Sequence, residues 1–181
     1  FDPKAERQAE RLAARAEPIY QKITRKFEHE PPSKVPIVLV DATDDSNGLA
    51  TPLPYNSIYL FASPPSDDSS LDTYDDWLNT LLTHEFTHTV HLDQAEGVNR
   101  VLRNILGRIW LPNAPQQQWA IEGLAEWVET HETKGGRGRS PFVQMYLRTA
   151  SLENAFVSID RATYWNDFWP YGNTAYWYGI G

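Results

Sequence analysis

Apolar residues recur at three- and four-residue steps from Leu12 through Ala16, Ile19 and Ile23 to Phe27. This spacing predicts one amphipathic helix over residues 3–28, with a kink or break expected at Pro18. After the turn Glu30-Pro31-Pro32-Ser33, the run Val35 to Val40 (VPIVLV) has strand length. Gly48-Leu49-Ala50-Thr51, closed by Pro52 and Pro54, predicts a second extended segment, and Ser57 to Phe61 a third. Residues 63–72 are rich in Ser, Pro and Asp and read as a loop. A long helix is expected from about Thr73 to Ala95, with Asp72 as its cap and Asp75 and Asp76 in its first turn. Further helices are predicted over Val98 to Trp110, Gln117 to His131, Pro141 to Ala150 and from Thr174 onward. Gly135 to Arg139 reads as a flexible loop, and Phe168 to Gly172 as another loop. Helix, small sheet, then several helices is an α+β pattern, and no internal repeat is visible.

Composition narrows the chemistry. The 181 residues make one domain, large enough to bury a core without staples. There is no cysteine, which excludes disulfides, thiol nucleophiles, iron–sulfur sites and cysteine-type zinc sites. Any metal must therefore sit on His, Asp, Glu or water. The formal charge of −8 argues against a nucleic-acid partner. No apolar run approaches the roughly 18 residues of a membrane span. The first residue is Phe1 and the last, Gly181, follows an aromatic stretch, so a longer natural chain is expected.

His84-Glu85-Phe86-Thr87-His88 is an H-E-x-x-H motif on a predicted helix. Histidines four apart lie on one face, one turn apart, and can reach a single tetrahedral zinc ion. Glu85 leaves the helix at another angle, beside a metal-bound water, where a carboxylate can act as a base. A catalytic zinc needs a third protein ligand. Position 91 is His and position 94 is Gln, which excludes the H-E-x-x-H-x-x-G-x-x-H class. Glu122 is the candidate: it interrupts the apolar stretch Trp119, Ile121, Leu124, Ala125 and Trp127, where a carboxylate needs a cation. Glu126, one turn on, is placed to accept the outer N–H of a ligand histidine. Glu96, Glu129 and Glu132 lack a comparable apolar setting. His91, one turn past His88, is a candidate pocket or supporting residue.

H-E-x-x-H followed by W-x-x-E-G-L-A-E resembles the gluzincin metallopeptidases, the group of thermolysin and the aminopeptidase-N-like enzymes. The whole chain resembles the N-terminal peptidase domain of bacterial secreted proteins that carry a C-terminal WD40-like β-propeller. Asn47-Gly48, His84 to Asp93, Gly135 to Ser140 and Tyr176 to Gly179 carry that likeness. The resemblance implies a zincin-like fold, one Zn²⁺ on His84, His88 and Glu122, a peptide or protein substrate, a propeller partner outside this chain, and a periplasmic or extracellular location. It also implies that Gly48, Leu49, Ala50 and Thr51 form an edge strand that pairs with substrate backbone. These four residues include no acid, unlike the amine-binding strand of the aminopeptidases, which favours an endopeptidase. Tyr176, in Tyr176-Trp177-Tyr178-Gly179, matches the oxyanion-stabilising tyrosine, with Tyr178 and Tyr171 as rivals. The 33 residues between His88 and Glu122 make a longer gap than is usual in the group.

The expected activity is zinc-dependent peptide hydrolysis. A silent zinc-bearing scaffold, an aminopeptidase and a hydrolase of another substrate are the alternatives. Two basic features stand outside the motif. Arg100, Arg103 and Arg108 beside Val101, Leu102, Ile105 and Ile109 suggest a docked amphipathic helix, or else a membrane-surface one. Arg137 and Arg139 read as surface-loop residues, with a peptide-carboxylate clamp as the other reading.

Overall fold

The computed structural model describes residues 5–41, 44, 46–65, 76–163, 165–166 and 172–180. It is mixed α+β. Helix α1 (Glu6–Phe27) runs through Pro18 without a break, and Leu12, Ile19 and Ile23 are its buried stripe. Strands β1 (Ile37–Val40), β2 (Gly48–Thr51) and β3 (Ser57–Phe61) form a sheet of order β1-β3-β2. β1 pairs with β3 in parallel and β2 pairs with β3 antiparallel, so β2 is an edge strand among the described residues. A second, two-stranded antiparallel pair joins β4 (Trp165–Asn166) to β5 (Gly172–Asn173).

Helix α2 (Trp77–Asp93) is the centre of the molecule. The expected cap Asp72 and first-turn Asp75 lie outside the described residues; Asp76 occupies the position before the helix and pairs with Arg15 of α1. One side of α2 gives Leu78, Leu81, Leu82, Phe86 and Val90 to a core shared with α1 and with Leu39, Ile58 and Leu60 of the sheet. The helix is buried on its polar side as well, so its hydroxyls need internal partners. Thr83, Thr87 and Thr89 each donate to the carbonyl four residues back, at 2.7, 2.8 and 3.0 Å. The histidines, Glu85 and the terminal Asp93 are polar groups that α2 instead turns toward its neighbours.

Those neighbours are α4 (Gln118–Glu132), packed against α2, and α6 (Thr174–Ile180), packed against α4. α4 and α6 meet backbone to backbone: a Cβ at Gly123 would overlap Gly179, and one at Gly179 would overlap Gly123. Between α2 and α4 lies α3 (Gly97–Leu106), followed by a 3-10 turn at Gly107–Ile109. The sequence predicts that α3 docks through its aliphatic stripe. It does the reverse. Val98 and Ile105 are 75% and 74% exposed, and no residue of α3 is buried. Its arginine side holds it to the body instead: Arg103 donates to Asp93 Oδ1 at 2.6 Å and also reaches the Asp93 carbonyl, and Arg108 of the turn lies 3.2 Å from Asp93 Oδ1. A fully buried carboxylate outcompetes the aliphatic face for the contact. α5 (Pro141–Leu152) follows a short 3-10 turn at Arg137–Arg139.

Candidate metal centre

His84 and His88 stand one turn apart on α2, and both are buried. Their Nε2 atoms are 3.0 Å from each other. Glu122, from α4, brings its Oε2 to 3.4 Å from His84 Nε2 and 3.3 Å from His88 Nε2. The three atoms form a nearly equilateral triangle. A tetrahedral ion with ligand bonds of about 2.0–2.1 Å sets its donors about 3.3–3.4 Å apart. Glu122 Oε2 is buried and has no hydrogen-bond partner among the described residues. The donor set and the orphaned oxygen both fit a bound metal ion, and the described residues offer this one cluster of metal-ligating side chains.

The triangle opens into a cavity of about 470 Å³. Glu85 lines it but is not part of the triangle, and its carboxylate packs against strand β2. A Cβ built on Gly48 would lie 2.8 Å from Glu85 Oε1 and 2.9 Å from its Cγ. Glycine at 48 is therefore what lets the strand pass so close. Gly48, Leu49 and Ala50 line the cavity; Thr51 does not, and its hydroxyl donates to the Leu53 carbonyl at 2.9 Å. Tyr176 of α6 lines it too, on a helix held against α4 by the Gly123–Gly179 contact. Of its rivals, Tyr178 accepts a hydrogen bond from the Val157 N–H, and Tyr171 lies outside the described residues.

Behind the triangle the structure departs from expectation. The outer N–H of His84 is met by Glu129, not Glu126: His84 Nδ1 is 3.0 Å from Glu129 Oε2. Both carboxylates are fully buried, but neither oxygen of Glu126 reaches a hydrogen-bond partner among the described residues. His91 does not line the cavity; it faces Gln116. Arg137, read from sequence as a surface residue, is turned inward. Its backbone N–H donates to Glu129 Oε1 at 2.8 Å, and its Nη1 lies 3.6 Å from Glu126 Oε1 and 3.2 Å from His84 Nδ1. Its guanidinium also sits 5.6 Å from the Tyr176 ring centroid, a cation–π contact. In its neutral form His84 keeps the Nδ1 proton toward the acceptor-only Glu129 carboxylate, which turns the Nε2 lone pair to the triangle.

The electrostatics follow from crowding charges out of water. Burial and the Arg137 charge oppose protonation of His84, but Glu122 and Glu129 outweigh them and push its pKa up to about 9. Glu122 is held well below the usual carboxylate range: burial works against the charge, and His84 and His88 overcome it. Burial pushes Glu126 up to about 8, with Arg137 resisting and Glu129 adding to the rise. Glu129 stays low despite its burial, because Arg137 and His84 hold its charge. Burial, with Glu122, pushes Tyr176 up to about 12, so its hydroxyl keeps its proton and can donate. Burial lowers His91, and His88 adds to that.

Two buried residues of this cluster, Glu129 and Arg137, were not legible as such. Glu129 has the same helical phase as Glu122, seven residues on, which is the one sequence signal that pointed to it. Arg137 had only the glycines beside it. No protein-family model matches the chain, and no curated protein and no solved structure is significantly similar to it.

Proposed function

We propose that this chain is a zinc-dependent peptide hydrolase of the gluzincin type. One observation carries the reading: His84 Nε2, His88 Nε2 and Glu122 Oε2 converge at 3.0–3.4 Å on the floor of a cavity, with a separate carboxylate, Glu85, beside them. His84, His88 and Glu122 would hold the ion. The donor set is two imidazoles and one carboxylate, with no thiolate, and that suits a catalytic zinc with an open position. When bound, zinc supplies Lewis acidity and lowers the pKa of water at the site.

The chain's own groups supply the rest. Glu85 takes the proton from the attacking water and passes it to the leaving amine. Tyr176 donates a hydrogen bond to the oxygen on which negative charge develops. The edge strand β2 offers backbone groups along the cavity to an extended peptide. No acid stands in Gly48–Thr51 to hold a free amine, so internal peptide bonds are the favoured substrate.

The test is a peptide-library digest with wild type, chelator-treated protein and Glu85→Gln. Chelation should abolish cleavage. Glu85→Gln should keep one zinc per chain and lose turnover by at least about 10²–10⁴-fold. Cleavage by Glu85→Gln at the wild-type rate would refute the mechanism, and a zinc-bound wild type without cleavage would favour a binding scaffold.

A further inference from the structure

α4 projects Glu122, Glu126 and Glu129 from one face into one buried region; Glu126 and Glu129 are both 0% exposed. Three carboxylates out of water and close together are costly without positive charge among them. A bound metal would neutralise Glu122. Of the other two, Glu129 is held by His84 at 3.0 Å together with Arg137, whose Nη1 is 3.8 Å from its Oε2, and Arg137 Nη1 lies 3.6 Å from Glu126 Oε1. The nearby lysines Lys22 and Lys26 are committed elsewhere, to Glu132 at 2.8 and 2.6 Å.

The position of Arg137 is built. Gly136 has φ of +99° and packs so closely on Thr130 that a Cβ would overlap it. The Gly138 N–H donates to Thr130 Oγ1 at 3.1 Å, and the Arg137 N–H to Glu129 Oε1. The loop is thereby strapped to α4, and its arginine side chain, 12% exposed, is delivered to the back of His84. The same guanidinium lines the cavity that the triangle faces.

We propose that Arg137 is the resident counter-charge of the metal centre: it keeps the carboxylate-lined site assembled without metal and, as a fixed cation, loosens the metal's hold. The inference rests on the zinc reading above. Its sign separates it from a simpler role. If Arg137 served only to prop Glu129 against His84, its loss would weaken zinc roughly 10–100-fold, as loss of an outer-shell partner does. Arg137 Nη1 is 3.2 Å from the outer nitrogen of His84. A cation one imidazole ring away from a divalent ion repels it, so loss of the charge should instead tighten binding, by about tenfold or more.

The experiment uses wild type, Arg137→Met, Arg137→Gln and Arg137→Lys. Zinc affinity is read by competition with a chromophoric chelator, and thermal unfolding is followed with and without zinc. The two neutral variants should unfold several degrees earlier than wild type without metal. They should bind zinc at least about tenfold more tightly and gain more from it in unfolding temperature. Arg137→Lys, which keeps the charge, should bind within about threefold of wild type. Equal or weaker zinc binding by the neutral variants overturns the proposal. So does failure of both to fold even with zinc, since zinc would supply the missing charge. If wild type itself binds no zinc, the metal-centre reading falls. If it binds while the neutral variants bind more weakly, only the role given to Arg137 falls.

Discussion

Glu85 owes its place to a residue with no side chain. Its carboxylate rests on the backbone at Gly48, where any Cβ would displace both Oε1 and Cγ. A base must be held within a fraction of an ångström of the proton it takes, and misplacement by about 1 Å can cost roughly 10²-fold in rate. Gly48→Ala should therefore lower kcat about 10–100-fold and leave zinc affinity at the wild-type value, because the three atoms nearest the new methyl group all belong to Glu85. Parallel loss of zinc and activity would show that the methyl group disturbs the ligands instead. The two histidines and Glu122 were legible because their chemistry is written in spacing and in an anomalous carboxylate. The outer carboxylate was not. Glu126 and Glu129 share a helix face, and which of them meets His84 depends on where α4 crosses α2 along its length, which no periodicity records. Arg137 was hidden for a related reason: a glycine-rich loop reads as exposed unless something buried calls for its side chain.

At the scale of elements, the cleft depends on two helices touching without side chains between them. Gly123 follows Glu122 directly, and Gly179 lies three residues past Tyr176, so one backbone contact sets the carboxylate of the triangle and the tyrosine at once. Adding a methyl group at a packed position costs about 1–3 kcal/mol. Here the obstacle is backbone, so relief requires the helices to part. Gly123→Ala should lower stability by about that amount and reduce kcat by withdrawing Tyr176, and zinc should remain bound through α2. Tyr176→Phe is the control: it should match the kcat loss without the stability loss. If Gly123→Ala leaves kcat unchanged, Tyr176 is not the oxyanion donor. The strands followed from short apolar runs closed by turn residues, and the order of helices from three-to-four spacing, since those patterns report burial against a neighbour. α3 broke the rule because its fixing interaction is ionic, and a hydrophobic pattern says which face is apolar, not which face is bound.

That ionic anchor operates across the whole molecule. Asp93 ends α2 and is 1% exposed. His29, just past α1, lies 3.0 Å from its Oδ2, and Asn56, at the start of β3, donates to Oδ1 at 3.0 Å. Arg103 and Arg108 bring in α3 and the turn after it, and Arg108 also donates to Asn56 Oδ1 at 2.6 Å. One carboxylate thus joins the end of α1, the sheet and α3 to the end of α2. Burial would raise the pKa of Asp93, but His29, Asn56 and Arg103 overcome it and hold it below the ordinary aspartate value. A carboxyl depressed in the folded state stabilises fully above its unfolded pKa, about 3.9, and loses that contribution as pH falls through the lower folded value. Removing one partner of a buried charge cluster costs about 3–5 kcal/mol. Asp93→Asn should therefore be about that much less stable than wild type at pH 7 by urea unfolding, with the gap narrowing as pH drops below about 4, where wild type takes up the proton that asparagine mimics. A gap that stays constant down to pH 2 would mean that Asp93 acts through shape alone, and that α3 is held by something other than its charge.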